Sequence, residues 1–175
     1  MRNKKSLLKI TYTAIFTAII LLATSVVKFS TGLGEGYIHL GDSFVYLSAC
    51  VLPFPYCLIA SALGGALADI LSGYAIWAIP TMLIKMLNAV PFMIMCKKHR
   101  SNKILSKHTI PMTIASGIIT ILGYFVAECI LYSVASATLS LLGNTIQAVA
   151  SGIIFVIIAK ATDKINLKSK ISKGV

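Results

Sequence analysis

The sequence predicts an all-α integral membrane protein, with six transmembrane helices in a single domain over residues 1–175 and both termini in the cytoplasm. Composition is the first indication, because 57% of the residues are hydrophobic and only 12% are charged, whereas about a quarter of a soluble domain is charged. The second indication is that the charged residues cluster. This leaves apolar runs of about 20 residues, which are long enough to cross the hydrocarbon core of a bilayer as helices.

Three basic clusters set the predicted orientation and account for the net charge of +11. They are Arg2, Lys4, Lys5 and Lys9; Lys97, Lys98, Arg100, Lys103 and Lys107; and Lys160, Lys164, Lys168, Lys170 and Lys173. Lysine and arginine are enriched in short cytoplasmic loops, so all three clusters are expected inside the cell, where they can contact anionic lipid head groups. This distribution favours membrane anchoring over nucleic-acid binding.

The parity of the crossings decides how many helices the middle of the chain holds. Residues 43–96 could form two long helices or three short ones, but an even number of spans must separate two cytoplasmic clusters. Together with the first span, three short helices satisfy this condition, and the prolines and glycines of "LPFPY" (52–56) and "SGYAIWAIP" (72–80) supply the breaks. The predicted spans are 6–27, 41–53, 56–71, 79–96, 110–132 and 143–161, and the connections 28–42, 72–78 and 133–142 are expected outside.

Polar side chains occur at a common depth, in the outer half of the predicted helices. They are Asp42, Asp69, Lys85, Asn88, Glu128, Asn144, Gln147 and Ser151. A charge inside a membrane is costly unless it is paired or lines a wet cavity, which makes each of them a candidate for function. Two structural alternatives stay open. Lys85 could pair with Asp69 or Glu128 and only stabilise the bundle, and Asp42 could cap the N-terminus of the second helix.

The external stretch "GLGEGYIHLGDSF" (32–44) is expected to cover a small-molecule site. Its glycines permit unusual backbone angles and close approach to a ligand, and Glu35, Tyr37 and His39 could contact a bound heterocycle. Tyr37 is equally compatible with an aromatic anchor at the membrane interface. A metal site of Glu35, His39 and Asp42 is a weaker alternative.

Small residues repeat at intervals of four on two predicted helices. They are Ala14 and Ala18 on the first helix, and Ala60, Gly64 and Ala68 on the third. Such spacing lets helices approach closely in a bilayer. Both packing within the bundle and docking of a partner protein at Ala14 and Ala18 are compatible with this pattern.

The sequence resembles the substrate-binding S components of energy-coupling factor (ECF) vitamin transporters over nearly the whole chain. The stretch "YIHLGDSFVYLSACVLPFPY" is similar to the family's entry to helix two, and "GGALADILSGYAIWAIPTMLIKML" is similar to its helix-three motif. Ala14 and Ala18 match the small-residue motif by which S components dock onto their coupling protein. The resemblance implies an ECF S-component-like bundle in the bacterial plasma membrane, with no catalytic residues and no cofactor.

The mechanism that the resemblance implies is capture of one micronutrient from outside, beneath the loop between helices one and two. The S component then associates with a transmembrane coupling protein and two cytoplasmic ATPases, and topples in the membrane to release its ligand inside. The sequence looks closest to the subgroup tied to riboflavin, hydroxymethylpyrimidine or vitamin B6-type ligands such as pyridoxine. It contains no Walker A glycine–lysine pattern, so ATP hydrolysis is expected from the partners.

Eleven residues are candidates for substrate binding. They are Glu35, Tyr37, His39, Asp69, Trp77, Lys85, Asn88, Tyr124, Glu128, Asn144 and Gln147. The rings of Tyr37, Trp77 and Tyr124 could stack on a heterocycle, while the polar members read its edge, which is the usual design of a ligand pocket. An uncharged or weakly charged ligand is favoured, because no arginine is placed to bind a phosphate.

Two other functions compete with this interpretation. An intramembrane enzyme would use Asp69, His39 and Glu128 as acid and base groups, which must lie within hydrogen-bond reach of one another. The other alternative is a self-sufficient proton-coupled carrier or facilitator for a small heterocycle, in which Asp69, Lys85 and Glu128 could form a proton relay.

Overall fold

The computed structural model describes residues 2–29, 37–99 and 101–174. The helices are α1 (Arg2–Ser25), α2 (Gly41–Val51), α3 (Tyr56–Leu71), a short 3₁₀ helix (Ala75–Trp77), α4 (Ala78–Lys98), α5 (Thr109–Leu131), α6 (Val134–Lys164) and α7 (Leu167–Gly174). Two short strands, β1 (Lys28–Phe29) and β2 (Ile38–His39), pair antiparallel between α1 and α2. Glu35 and the glycines at 32–36 lie outside the described residues, so their expected role in covering a ligand stays a prediction.

Helix α2 forms the centre of the bundle. Ten of its 11 residues are buried, and it packs against α1, α3, α4 and α6. The remaining long helices surround it in the order α1, α3, α4, α5, α6, with each helix in contact with the next. A charged group near the N-terminus of α2 therefore lies inside the bundle, away from lipid.

The bundle is apolar outside and polar inside. Along α5, the outward residues at intervals of four are Ile110, Ile114, Ile118, Leu122, Val126 and Ile130, and each is more than half exposed. The opposite face carries Ser116, Thr120 and Glu128, which are all buried. A membrane protein needs this arrangement, because lipid solvates apolar side chains while polar groups require partners.

Four helices within the described ranges are long and apolar enough to cross a membrane. They are α1, the 3₁₀–α4 segment, α5 and α6. Helix α3 is apolar but shorter, with 16 residues, and α2 has 11. That α2 and α3 also cross, which would make six spans, and that both termini face the cytoplasm, stay predictions.

The three basic segments lie together at one end of the bundle. Lys9 Nζ is 6.0 Å from the centre of the Tyr56 ring, and Lys168 Nζ is 3.4 Å from Cys96 Sγ. The Asp163 carboxylate accepts hydrogen bonds from the backbone N–H groups of Ile104 and Leu105, at 2.7 and 2.9 Å. The start of α1, the α4–α5 loop and the tail therefore share an end, which is the arrangement that the parity argument requires.

Helix α6 begins earlier than the sequence predicts. A span was expected from 143, with 133–142 as an external connection, but the helix begins at Val134. The hydroxyl of Ser133 accepts a hydrogen bond from the backbone N–H of Ser136 (3.2 Å) and caps this end. The extra turns bring Ser136 and Ser140 into the bundle as helical residues. Helix α7, which was expected only as a basic tail, packs against α2 and α6.

The two sets of small residues have different environments. Ala60, Gly64 and Ala68 are buried, and a Cβ atom added to Gly64 would lie 2.7 Å from Ile20 Cβ and 3.0 Å from the backbone oxygen of Thr17. This set therefore lets α1 and α3 pack closely. Ala14 and Ala18 are exposed on the outer face of α1, so packing within the bundle does not account for them.

A buried ion pair joins the central helix to its neighbours. Asp42 accepts a hydrogen bond from Lys85 of α4, and both side chains are fully buried. Gln147 of α6 donates to the other carboxylate oxygen of Asp42 at 3.0 Å. Beside the pair, Asn88 Nδ2 donates to Thr120 Oγ1 of α5 at 2.8 Å. One polar centre thus connects α2, α4, α5 and α6.

This ion pair corrects two of the structural alternatives. The capping role considered for Asp42 is wrong, because Leu40 is the N-cap residue of α2 and no side chain caps it. The pairing of Lys85 with Asp69 or Glu128 is wrong as well, since Lys85 pairs with Asp42. The physical reason is the central position of α2, which brings its first turn against the middle of α4.

We expect Gly64→Ala to lower the free energy of unfolding by about 1–3 kcal/mol, because the added methyl group forces α1 and α3 apart. Unfolding of the protein in detergent micelles by sodium dodecyl sulfate, followed by circular dichroism, measures this change. The matched control is Gly117→Ala, whose new Cβ would meet only Ala148 Cβ, at an ordinary 3.4 Å. Equal stability of the two variants would contradict the assigned packing.

We expect Lys85→Met to lower the free energy of unfolding by about 3 kcal/mol or more, because it leaves the Asp42 carboxylate buried without its cation. The double variant Asp42→Asn/Lys85→Met removes both charges and should recover most of this loss. Lys107→Met, at an exposed lysine of the α4–α5 loop, is the control and should change little. The assignment fails if the double variant is as unstable as Lys85→Met.

Candidate functional site

A narrow cavity lies at the end of the bundle opposite the basic segments. It is bounded by β2, the junction between α3 and α4, the end of α5 and the first turns of α6. Its lining residues are Tyr37, Ile38, His39, Asp69, Tyr74, Trp77, Thr81, Tyr124, Glu128, Ser140, Gly143, Asn144 and Gln147. The cavity has a volume of about 50 Å³, whereas ligand pockets usually have volumes of roughly 300–1,000 Å³. Side chains must therefore separate to admit a vitamin-sized molecule.

Tyr37 closes one side of the cavity by binding to helix α3. Its hydroxyl donates a hydrogen bond to Asp69 Oδ1 at 2.7 Å. Burial and the adjacent Asp69 carboxylate raise the pKa of Tyr37, so its hydroxyl stays protonated and remains the donor. The ring lies 5.0 Å from the ring of Tyr74 and 5.6 Å from that of His39. The chain just before α2 is thereby held against the end of α3.

Trp77 and Tyr124 form a second aromatic group in the lining of the cavity. The Trp77 ring centre lies 6.0 Å from that of Tyr124 and 5.9 Å from that of Tyr132. The hydroxyl of Tyr124 donates to Thr81 Oγ1 at 3.4 Å, which orients the ring. Aromatic side chains in the lining can hold a flat ring by stacking.

Glu128 of α5 is held by serines from the early turns of α6. Its Oε1 accepts hydrogen bonds from Ser136 Oγ (2.9 Å) and Ser140 Oγ (2.7 Å). These serines reach it because α6 begins at Val134, ahead of the predicted span. The carboxyl group is 2% exposed, and the two hydroxyl donors supply the partners that such a buried group requires.

Gln147 and His39 connect the cavity to the ion pair beneath it. The backbone N–H of His39 donates to Gln147 Oε1 at 3.3 Å, while Gln147 Nε2 donates to Asp42. His39 Nε2 lies 3.2 Å from Lys85 Nζ. If a ligand displaced either residue, the contacts of the ion pair at the centre of the bundle would therefore change as well.

The structure brings eight of the eleven predicted substrate-binding residues around this cavity. They are Tyr37, His39, Asp69, Trp77, Tyr124, Glu128, Asn144 and Gln147. Lys85 and Asn88 are completely buried below the cavity and do not line it. Glu35 lies outside the described residues. A contact of any of these residues with a ligand stays a prediction.

The sequence reasoning missed Tyr74, Thr81 and Ser140 as lining residues. Tyr74 and Thr81 lie on either side of Trp77, close to the predicted helix break at 72–80. Their proximity to this break could have indicated that they line the same cavity as Trp77. Ser140 was assigned to an external connection, so no helical face was considered for it.

A metal ion has no evident site within residues 2–29, 37–99 and 101–174, since no cluster of three histidine, cysteine or acidic side chains occurs there. His39 and Asp42, two members of the metal site considered above, bind to Lys85 and Gln147 instead. The third member, Glu35, is outside these ranges.

Comparison with known proteins identifies the family of this chain. The family model for the S component of the ECF-type riboflavin transporter matches residues 4–164. A protein of Pyrococcus woesei, described as an uncharacterized protein in gap 3'region, is 31% identical over 135 residues, which are 76% of this chain and 86% of that protein.

A solved structure has the same fold. It is the crystal structure at 2.1 Å of the S component for biotin from an ECF-type ABC transporter, with a TM-score of 0.64 and 17% sequence identity. The likeness covers 94% of this chain and 95% of that one. The family model describes a transport subunit and not an enzyme, so the intramembrane enzyme is set aside. The protein belongs to the family of ECF-type riboflavin transporter S components.

Proposed function

We propose that the protein is the high-affinity binding subunit of an ATP-driven micronutrient importer in the cell membrane. It captures a small water-soluble vitamin or precursor of the riboflavin, pyridoxine or hydroxymethylpyrimidine type from outside. It then delivers this ligand inside together with a transmembrane coupling protein and two cytoplasmic ATPases. The observation that carries the proposal is the cavity, which gathers eight independently predicted residues from the segment before α2, the α3–α4 junction, α5 and α6.

The chemistry of the cavity suits a flat heterocycle. The aromatic rings in its lining belong to Tyr37, Tyr74, Trp77 and Tyr124, while Asp69, Glu128, Asn144 and Gln147 offer hydrogen bonds. A few polar groups among apolar walls is the usual composition of such a site. The family description names riboflavin, and the solved relative is the component for biotin, so the substrate of this chain requires its own test.

The outer face of α1 suits docking of a coupling protein. Ala14 and Ala18 are exposed there, and the small residues of α3 already account for the packing between α1 and α3. A flat stripe of small residues lets a second helix approach closely within a bilayer. Helix α1 contacts α3, whose Asp69 lines the cavity, so docking at this stripe can act on the cavity through α3.

The arrangement of charges argues against a self-sufficient proton-coupled carrier. The relay considered for that function joins Asp69, Lys85 and Glu128, but Lys85 is engaged by Asp42 below the cavity. The Asp69 carboxylate is bound by Tyr37, and Glu128 by two serines. Each of the three groups is therefore bound to different partners, and these contacts do not join them into one proton-transfer path.

We expect the purified protein in detergent to be stabilised against heat by one vitamin of a panel containing riboflavin, pyridoxine, hydroxymethylpyrimidine and biotin. A ligand at 100 times its dissociation constant raises the free energy of unfolding by about 2.7 kcal/mol. Differential scanning fluorimetry measures the accompanying shift in melting temperature. Absence of a shift with every member of the panel would count against the proposed binding function.

We expect Ala14→Trp to abolish vitamin uptake by cells that also contain the coupling protein and ATPases, while binding by the purified subunit is retained. The bulky ring would prevent a second helix from approaching α1. Ala14→Ser, which keeps the side chain small, should transport normally, and so should Ile118→Trp on the exposed stripe of α5. Uptake by vesicles that contain this protein alone would overturn the dependence on partners.

A further inference from the structure

Asp69 presents an unused hydrogen-bond acceptor to the cavity. The side chain is 4% exposed, and its Oδ1 already accepts from Tyr37. Its Oδ2 has no hydrogen-bond partner among the described residues. A carboxylate has capacity for about four hydrogen bonds. A buried acceptor left without a partner is costly, so this atom is positioned to receive a donor from a ligand.

Trp77, which lines the same cavity, carries an unused donor. Its side chain is 6% exposed, and Nε1 has no acceptor within the described ranges. Buried tryptophan N–H groups normally have a partner. Acceptor and donor together define two complementary features of a ligand, which are an N–H or O–H group for Asp69 and a lone pair for Trp77.

The charges around the cavity restrict the ligand further. Its described lining contains two carboxyl groups, Asp69 and Glu128, and no lysine or arginine. The nearest buried cation, Lys85, is paired with Asp42 and does not line the cavity. Lys28 is exposed beside the Tyr37 ring, at 5.6 Å from its centre. An anionic ligand would thus meet carboxyl groups without a compensating cation, which is unfavourable at low dielectric.

We propose that the cavity selects an aromatic nitrogen heterocycle that carries an exocyclic amino group, which donates to Asp69 while a ring nitrogen accepts from Trp77. The cavity discriminates against ligands whose recognition group is a carboxylate or a phosphate. This proposal rests on the vitamin-binding function and narrows its substrate class. A site that holds a partner for a substrate N–H group rejects the analogue that lacks it, because buried polar atoms then stay unpaired.

Matched ligands test this selectivity on the unmodified full-length protein. Isothermal titration in detergent would compare 4-amino-5-hydroxymethyl-2-methylpyrimidine with its 4-hydroxy analogue and with its phosphate ester. We expect the amine to bind at least tenfold more tightly than either. Riboflavin and biotin complete the set and should bind more weakly than the amine.

The variant Asp69→Asn tests the assigned acceptor. It retains an oxygen for Tyr37 but replaces the free carboxylate oxygen by an NH₂ donor, so affinity for the amine should fall at least tenfold and the preference over the 4-hydroxy analogue should disappear. The control is Asp163→Asn, the same change at the opposite end of the bundle, where the carboxylate binds backbone N–H groups of the α4–α5 loop. It should leave the ratio of the two affinities unchanged.

The outcomes separate this proposal from the proposed function. Tighter binding of riboflavin, biotin or the 4-hydroxy analogue than of the amine overturns the substrate class while the binding function stands. Unchanged selectivity in Asp69→Asn overturns the role of Asp69. Absence of binding by all five compounds, together with absence of uptake in the presence of the coupling protein and ATPases, overturns both.

Discussion

The buried pair between Asp42 and Lys85 is the interaction on which the rest of the structure depends. Both side chains are completely buried, and in a bundle surrounded by lipid neither charge could be accommodated alone. Because α2 is central and short, the Asp42 carboxylate in its first turn needs hydrogen-bond donors from inside the bundle. Helices α4 and α6 supply them through Lys85 and Gln147. Geometry that satisfies this carboxylate therefore determines how the neighbouring helices are arranged around α2. A buried pair of this kind contributes more to a specific arrangement than to net stability.

The cavity lies directly above this polar centre and shares two residues with it. His39 and Gln147 line the cavity and also contact the pair, so the same side chains border the cavity on one side and the ionic core on the other. The residues on the outer rim have a different role. Tyr37 is bound to Asp69 and packs against the rings of Tyr74 and His39, so it holds the chain just before α2 beside the cavity. Capture of a ligand and the position of the chain just before α2 are coupled through these few contacts.

The two ends and the outer surface of the bundle suit the different roles proposed for them. Basic segments gather at one end, around Lys9, Cys96 and Lys168, while the cavity occupies the other. The outer surface is apolar along α5 and presents small residues along α1. A subunit that binds a ligand at one end and is energised by partners needs such a separation, because a partner helix can dock on α1 without covering the cavity.

Much of this was predictable from the sequence, because lipid imposes strong and local rules. A low content of charged residues, their clustering and the proline and glycine breaks determined the helical class and the approximate helices. The cost of intramembrane polar groups singled out Asp69, Glu128, Asn144 and Gln147, which line one cavity. The sequence could not show which buried side chains pair with each other. Asp42 was compatible with a helix cap and Lys85 with Asp69 or Glu128, since spacing along the chain does not tell which helix lies against which. The same limit concealed Ser140, whose position depends on where α6 begins. Only the tertiary structure, with α2 at its centre, decided that Lys85 neutralises Asp42 and leaves Asp69 facing the cavity, because that choice depends on distances between helices far apart in sequence.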